Sequence, residues 1–203
     1  MTKPFTPART GTLVGAGLAE MADACRRARR TVDIATPFLS ADVAAYLVRA
    51  CDEGSARDRR LITALNAAAV EGGYLDPDGI EELIEAGFEA KSLRNLHAKV
   101  LLADGNWGLI GSGNLTVAGS NGGNAELGIV LGPTQAKAAR RAHFDSWWDA
   151  AEPLDVKWLR TLNRHKPSNL GRRRREGRGG VWPSRANVDL GGFSTNNATA
   201  DTG

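Results

Sequence analysis

Thr31-Val32-Asp33-Ile34-Ala35-Thr36-Pro37, followed closely by Ser40-Ala41-Asp42-Val43-Ala44-Ala45-Tyr46-Leu47-Val48-Arg49-Ala50-Cys51, decides the fold class. The first segment alternates, carries β-branched residues and is stopped by Pro37, which reads as a strand. Ser40 is a capping residue and Asp42 adds a carboxylate to the first turn, so a helix through about Cys51 follows. Beyond the polar connector Asp52 to Arg60, the apolar run Leu61-Ile62-Thr63-Ala64-Leu65 reads as a buried strand. Asp76-Pro77-Asp78-Gly79-Ile80-Glu81-Glu82-Leu83-Ile84-Glu85-Ala86-Gly87 has a capping Asp, a Pro at the first helical position and a closing Gly, the marks of a helix. Phe88 to Leu93 then supplies a third strand. Strand, helix, strand, helix, strand implies parallel βαβ units with helices packed on the sheet.

Working outward, Thr12 to Arg30 reads as a helix ending in arginines, which suit the negative end of its dipole. Downstream, Ala98 to Ala103 and Gly108-Leu109-Ile110 form two strands joined at Asp104-Gly105-Asn106, a hairpin turn signal. Ala125 to Leu131 is a further strand after the Gly/Asn-rich loop 118–124. Pro133 to Glu152 reads as a helix whose Phe144, Trp147 and Trp148 cover a sheet face; a base-stacking platform is the alternative use of those tryptophans. Asp155 to Leu162 adds a short helix. The expected fold is α/β: a mixed, largely parallel β-sheet flanked by helices, with a disordered basic C-terminal tail.

The 203 residues suffice for one substantial core, giving a catalytic domain over 1–162 and a tail over 163–203. A hydrophobic fraction of 42% and a charged fraction of 24% are those of a soluble globular protein. The apolar run from Gly11 to Ala19 is too short to span a bilayer and lacks a preceding basic region, so neither a membrane span nor a signal peptide is expected, and the location expected is cytoplasmic. Cys25 and Cys51 sit in helical segments without metal-ligand spacing and read as buried free thiols. Charge is uneven: residues 1–156 hold 16 Lys+Arg against 20 Asp+Glu, and 157–203 hold 10 against 3. The tail centres on Arg172, Arg173, Arg174 and Arg175, a run that self-repels and suits a phosphate backbone.

The chemistry-bearing pattern is His97-x-Lys99-x4-Asp104-x6-Gly111-Ser112-x-Asn114. Cleaving a phosphodiester requires a nucleophile, charge stabilisation on the phosphoryl oxygens and an acid for the leaving oxygen. On a strand His97 and Lys99, two residues apart, point to one face, while Ala98 and Val100 point to the other. Neutral imidazole is the nucleophile, the Lys99 ammonium meets phosphate oxygens, and Ser112 and Asn114 in a Gly-flanked turn donate hydrogen bonds to them. Arg94 adds a cation beside the site.

This pattern resembles the signature of the phospholipase D superfamily, and Asn124-Ala125-Glu126 is similar to the Asn-x-Glu found downstream in that family. The resemblance implies a phospholipase D-like fold, a covalent phosphohistidine intermediate and no metal or other cofactor. It makes His97 nucleophile or acid, Lys99 and Asn114 phosphate binders, Ser112 an assistant and Glu126 the residue that orients His97. Asp104 belongs to the signature in a mostly structural role. The reaction uses two histidines of opposite roles, whereas this chain has one motif. His143 lies in a helix beside Phe144, where it reads as a partly buried structural residue, and His165 lies in the tail. A two-fold homodimer placing two copies of His97 together is the expected solution. The expected partner is nucleic acid, DNA favoured and RNA possible, with no membrane partner, on the strength of the basic tail and Arg94. The alternatives are a phospholipase or phosphatidyl transferase acting on lipid, and a non-catalytic nucleic-acid-binding module.

Overall fold

A central strand buried along its whole length organises the molecule, which is described by a computed structural model over residues 9–120 and 123–163. The elements are β1 (Leu13–Val14), α1 (Leu18–Arg27), β2 (Thr31–Ala35), α2 (Ala41–Asp52), β3 (Asp58–Thr63), α3 (Ala67–Glu71), α4 (Pro77–Glu85) and β4 (Phe88–Ser92). They continue with β5 (Val100–Ala103), β6 (Trp107–Gly111), α5 (Val117–Ser120), β7 (Gly128–Leu131), α6 (Pro133–Ala139), α7 (Asp145–Ala150), β8 (Glu152–Pro153) and α8 (Val156–Asn163), with a π-helical turn, Arg140–Phe144, joining α6 to α7. The eight strands form one sheet in the order β1-β7-β6-β5-β2-β3-β4-β8.

The mixed sheet flanked by helices is as expected, but its parallel part is confined to β2-β3-β4. Only β2 with β3 and β3 with β4 pair in parallel. The other five pairings are antiparallel. The tight hairpin is the reason: Asp104 and Gly105 both take positive φ, 54° and 63°, so β6 returns directly beside β5 without a crossover helix. The segment expected as one helix from Thr12 splits, because Gly17 takes φ 70° and ends an edge strand, β1, before α1 begins. Asp76 accepts the Asp78 N–H at 3.0 Å and Pro77 opens α4, as the sequence predicts.

Side chains leave β2 to opposite faces. Val32 and Ile34 join Leu61, Leu101 and Leu109 beneath α1, α2 and α4, a core that also holds the buried free thiols Cys25 and Cys51. Ala35 joins Ile62, Val100, Leu102, Ala136 and Phe144 on the face covered by α6 and α7. Asp33 also lies on that face. It is 1% exposed and ion-paired with Arg60 at 2.7 Å and Arg140 at 3.2 Å, the satisfaction a buried carboxylate requires. Trp147 and Trp148 pack on this core, and Arg60 lies 4.7 Å over the Phe144 ring and 5.2 Å over that of Trp148. The aromatic residues therefore cover the sheet. His143 is exposed rather than partly buried, with its ring 5.7 Å from that of Trp147.

Candidate active site

The three parallel strands all end at one edge of the sheet, where β2 passes into Thr36-Pro37, β3 into Ala64 and β4 into Leu93. β5 enters from this edge, β6 leaves towards it, and β7 starts there, because the hairpin reverses direction. The residues just before β5, just after β6 and just before β7 are therefore gathered at the carboxyl end of the parallel strands, the end at which open α/β sheets bind ligands. Those residues are His97 and Lys99, Ser112 and Asn114, and Glu126.

His97 and Lys99 belong to an extended segment leading into β5 and not to the strand itself. Their two-residue spacing still places them side by side. The Lys99 Nζ donates to the His97 carbonyl at 2.8 Å and stands 3.3 Å from His97 Nε2 and 3.5 Å from Nδ1. Lys99 is 8% exposed while His97 is exposed, so a buried ammonium sits behind an accessible imidazole. Burial pushes the Lys99 pKa down and the nearby Glu126 carboxylate partly opposes this. Ala98 packs on the α6–α7 side with Val100, the face opposite to that of the pair.

Ser112 and Glu126 form the next layer. The Ser112 hydroxyl donates to the Glu126 carboxylate and accepts the Leu127 N–H at 3.1 Å. Asn124 Nδ2 donates to the other Glu126 oxygen at 3.3 Å. Within one chain Glu126 is thus held by Ser112 and Asn124, and no hydrogen bond joins it to His97. Asn114 follows Gly113, whose missing side chain is required: a Cβ there would lie 2.7 Å from the Gly119 carbonyl. The Asn114 carbonyl accepts from Thr116 N–H at 2.8 Å and Ser120 Oγ at 3.0 Å, which fixes its backbone. Its side-chain Oδ1 is buried with no hydrogen-bond partner.

Asp104 is elsewhere. It sits in the β5–β6 turn at the opposite end of the sheet, where its carboxylate accepts the backbone N–H groups of Arg29 at 2.9 Å, Arg30 at 2.7 Å and Thr31 at 3.0 Å. Burial pushes its pKa up, but these N–H groups and the Arg30 charge outweigh that and hold it below the usual carboxyl value. Its place is to tie the hairpin to the start of β2. Arg94 is exposed in the turn between β4 and His97. The expected tail, with Arg172, Arg173, Arg174, Arg175 and His165, lies outside the described residues apart from Asn163, which ends α8.

Sequence reasoning passed over Thr36 and Ser120. Thr36 is fully buried; its hydroxyl donates to the Phe38 carbonyl at 2.8 Å and accepts the Leu115 N–H at 3.4 Å, tethering the loop that carries Asn114 to the end of β2. A hydroxyl residue just past a strand was the available signal, but its partner is 79 residues away. Among the described residues, no group of three or more His, Cys, Asp or Glu side chains could hold a metal ion. No described helix is long and apolar enough to cross a membrane.

The fold recurs in known proteins. The family described as cardiolipin synthase, PLD-like domain, matches residues 21–148, from α1 to α7. No curated protein matches the chain. Among solved structures, Nuc from Salmonella typhimurium, a phospholipase D family member, is similar over 71% of this chain and 97% of its own, with a TM-score of 0.58 and 18% identity. NucT from Helicobacter pylori is similar over 71% of this chain and 99% of its own, with a TM-score of 0.52 and 15% identity. TrmBL2, an archaeal chromatin protein described as having a novel mode of DNA binding, matches 75% of this chain and 56% of its own, with a TM-score of 0.52 and 15% identity. With the family match spanning most of the chain and the shared fold around it, this chain belongs to the phospholipase D superfamily.

Proposed function

We propose that the chain is a nuclease that cleaves nucleic acid, DNA in preference to RNA, without a metal, through a phosphohistidine at a site shared by two copies of the chain. The observation that carries this reading is the buried Lys99 ammonium set against the exposed His97 imidazole, with Ser112 and Glu126 beside them. A fixed cation behind an accessible imidazole draws a phosphodiester to the nucleophile and neutralises charge developing on its oxygens. A His97 ring nitrogen attacks phosphorus, forming an N–P bond as the P–O bond to the leaving group breaks. The leaving oxygen takes a proton from His97 of the second copy. Water then attacks the phosphohistidine, that second His97 accepts the water's proton, and the N–P bond breaks to release the phosphate monoester and free His97.

A second copy is called for because the sequence holds one His-x-Lys motif and, among the described residues, the other histidine, His143, lies on the α6–α7 helix and is engaged with Trp147. An apolar sheet surface adjoining the site supports it. Leu13 pairs with Ile129 and Ile129 with Ile110 across β1, β7 and β6, and these three side chains are 64%, 40% and 41% exposed. Leu127, two residues before Ile129 and next to Glu126, is 60% exposed. An apolar stripe on one sheet face is the kind of surface that a two-fold interface covers. Nucleic acid is favoured as substrate by the ten basic against three acidic residues of 157–203 and by Arg94 at the site. The DNA binding described for TrmBL2 agrees with this.

Purified protein incubated with supercoiled plasmid in EDTA is the test: nicked or linear product is expected, and His97→Ala is expected to form none. Absence of cleavage of any DNA or RNA overturns the reading. The description of the matching family favours phosphatidyl transfer as the second reading, and release of headgroup from phospholipid vesicles, with nucleic acid left intact, would establish it.

A further inference from the structure

The end of the sheet remote from His97 collects positive charge that the cleavage chemistry does not use. Arg29, Arg30, Arg57, Lys137, Arg140 and Arg141 line two adjoining open hollows of about 500 Å³ each, at the amino ends of β2 and β3 and along α6 and the π-helical turn. The carboxylates there are mostly engaged. Asp104 faces backbone N–H groups, and Asp145 pairs with Arg60 at 3.0 Å, which leaves Asp58. Arg140 spans the hollows and reaches down to Asp33. The side chains of Arg57, Lys137 and Arg141 are exposed and have no ion pair with any described residue. Six of the 16 basic side chains of residues 1–156, a stretch that also carries 20 acidic ones, line these two hollows. On the π-helical turn Arg140 reaches the sheet, where it pairs with Asp33, while Arg141 stays in solvent.

We propose that this surface is a second nucleic-acid backbone site, which holds the strand away from the scissile bond; the proposal rests on the nuclease reading above. Exposed, unpaired Lys and Arg around an open hollow gain most from a polyanion, because each phosphate they neutralise releases condensed counterions. β2 alone, at about 3.3 Å per residue, separates this end from the catalytic edge by roughly 13 Å. A small phosphodiester at His97 therefore leaves the surface empty, whereas a longer nucleic acid can occupy both.

The experiment compares Arg57→Gln/Lys137→Gln/Arg141→Gln with a control, Arg49→Gln, that removes an exposed cation elsewhere. Affinity for a 30-base-pair DNA duplex is measured by fluorescence anisotropy against salt, in a His97→Ala background. Hydrolysis of bis(p-nitrophenyl) phosphate is followed with His97 present. The triple variant is expected to bind at least tenfold more weakly, with its log–log salt slope reduced by about 2 to 3 at ~0.9 per lost phosphate contact. Its hydrolysis of the small diester is expected to match that of the unsubstituted protein. An unchanged affinity and slope, an equal loss in the control, or a selective loss of binding to anionic phosphatidylglycerol vesicles overturns the proposal while leaving the nuclease reading standing. Failure of the unsubstituted protein to bind or cleave any nucleic acid overturns both. Should the triple variant not fold, Arg57→Gln/Lys137→Gln is expected to lower the slope by about 1 to 2, and no change there counts against the proposal equally.

Discussion

Replacing Asp104 with asparagine separates folding from chemistry within a single signature. The carboxylate accepts from three consecutive backbone N–H groups, with Arg29 within 2.9 Å of one oxygen and Arg30 and Thr31 at 2.7 and 3.0 Å from the other. Asparagine keeps the shape and can keep the two bonds to its remaining oxygen, but it loses the charge and turns a donor towards the Arg29 N–H. Hydrogen bonds to a charged group contribute about 1.5–3 kcal/mol and neutral ones about 0.5–1.5, so the substitution costs on the order of 2 kcal/mol after allowance for partial exposure. In a domain of this size that lowers Tm by roughly 4–8 °C. Because the folded-state pKa is lowered, the carboxylate contributes its stability above the ordinary pKa of about 3.9 and loses it as pH falls through the lowered value. The difference between the two proteins should accordingly be full at pH 7 and vanish in strong acid. Urea titrations at pH 7, 4 and 2.5 read the stability, and hydrolysis of a small phosphodiester well below Tm reads the chemistry. Asp104 lies at the far end of the sheet from His97, so kcat should stay within about threefold. A hundredfold fall in kcat in the folded variant, about 2.7 kcal/mol of transition-state stabilisation, would refute the assignment of Asp104 to the scaffold.

Lys99→Met should lower kcat by a hundredfold or more with little change in Tm, read by steady-state hydrolysis beside thermal melting, since the ammonium donates to the His97 backbone and faces its ring. As burial lowers the Lys99 pKa, its charge is lost at lower pH than that of an ordinary lysine; activity should fall on the alkaline side before pH 10.4, and a pH–rate profile measures where. Gly113→Ala drives a Cβ into the Gly119 carbonyl, so turnover should drop at least tenfold with about 1–3 kcal/mol of stability lost in urea titration. Phe144→Ala empties a 1% exposed site under the α6–α7 helix and removes the ring beneath Arg60; about 3–5 kcal/mol should be lost in the same titration.

Local chemistry made much of this molecule legible. The strand at Thr31, the cap at Asp76 and the turn at Asp104-Gly105 each rest on neighbouring residues, and each appears where its local signal lies. What escaped depends on contacts distant in sequence. β1 exists because Leu13 and Val14 find β7, which no property of those two residues announces. Arg59 and Arg60 look like connector residues, yet they lie in β3, because Arg60 has buried Asp33 and Asp145 as partners across the sheet. At the site, the two-residue spacing of His97 and Lys99 was read as one face of a strand; the pair lies just before β5 and its side chains still come together. The hold of Ser112 and Asn124 on Glu126, and the Thr36 tether, needed the fold.

The central claim is that His97 becomes covalently phosphorylated during turnover. Rapid acid-free quenching of the protein with a phosphodiester carrying radioactive phosphorus, followed by denaturing electrophoresis and peptide mapping, measures it directly. An alkali-stable, acid-labile label on the peptide containing His97, formed in EDTA and absent from His97→Ala, is the predicted result. Turnover that persists in His97→Ala, or proceeds in the unsubstituted protein without label on that peptide, would contradict the account.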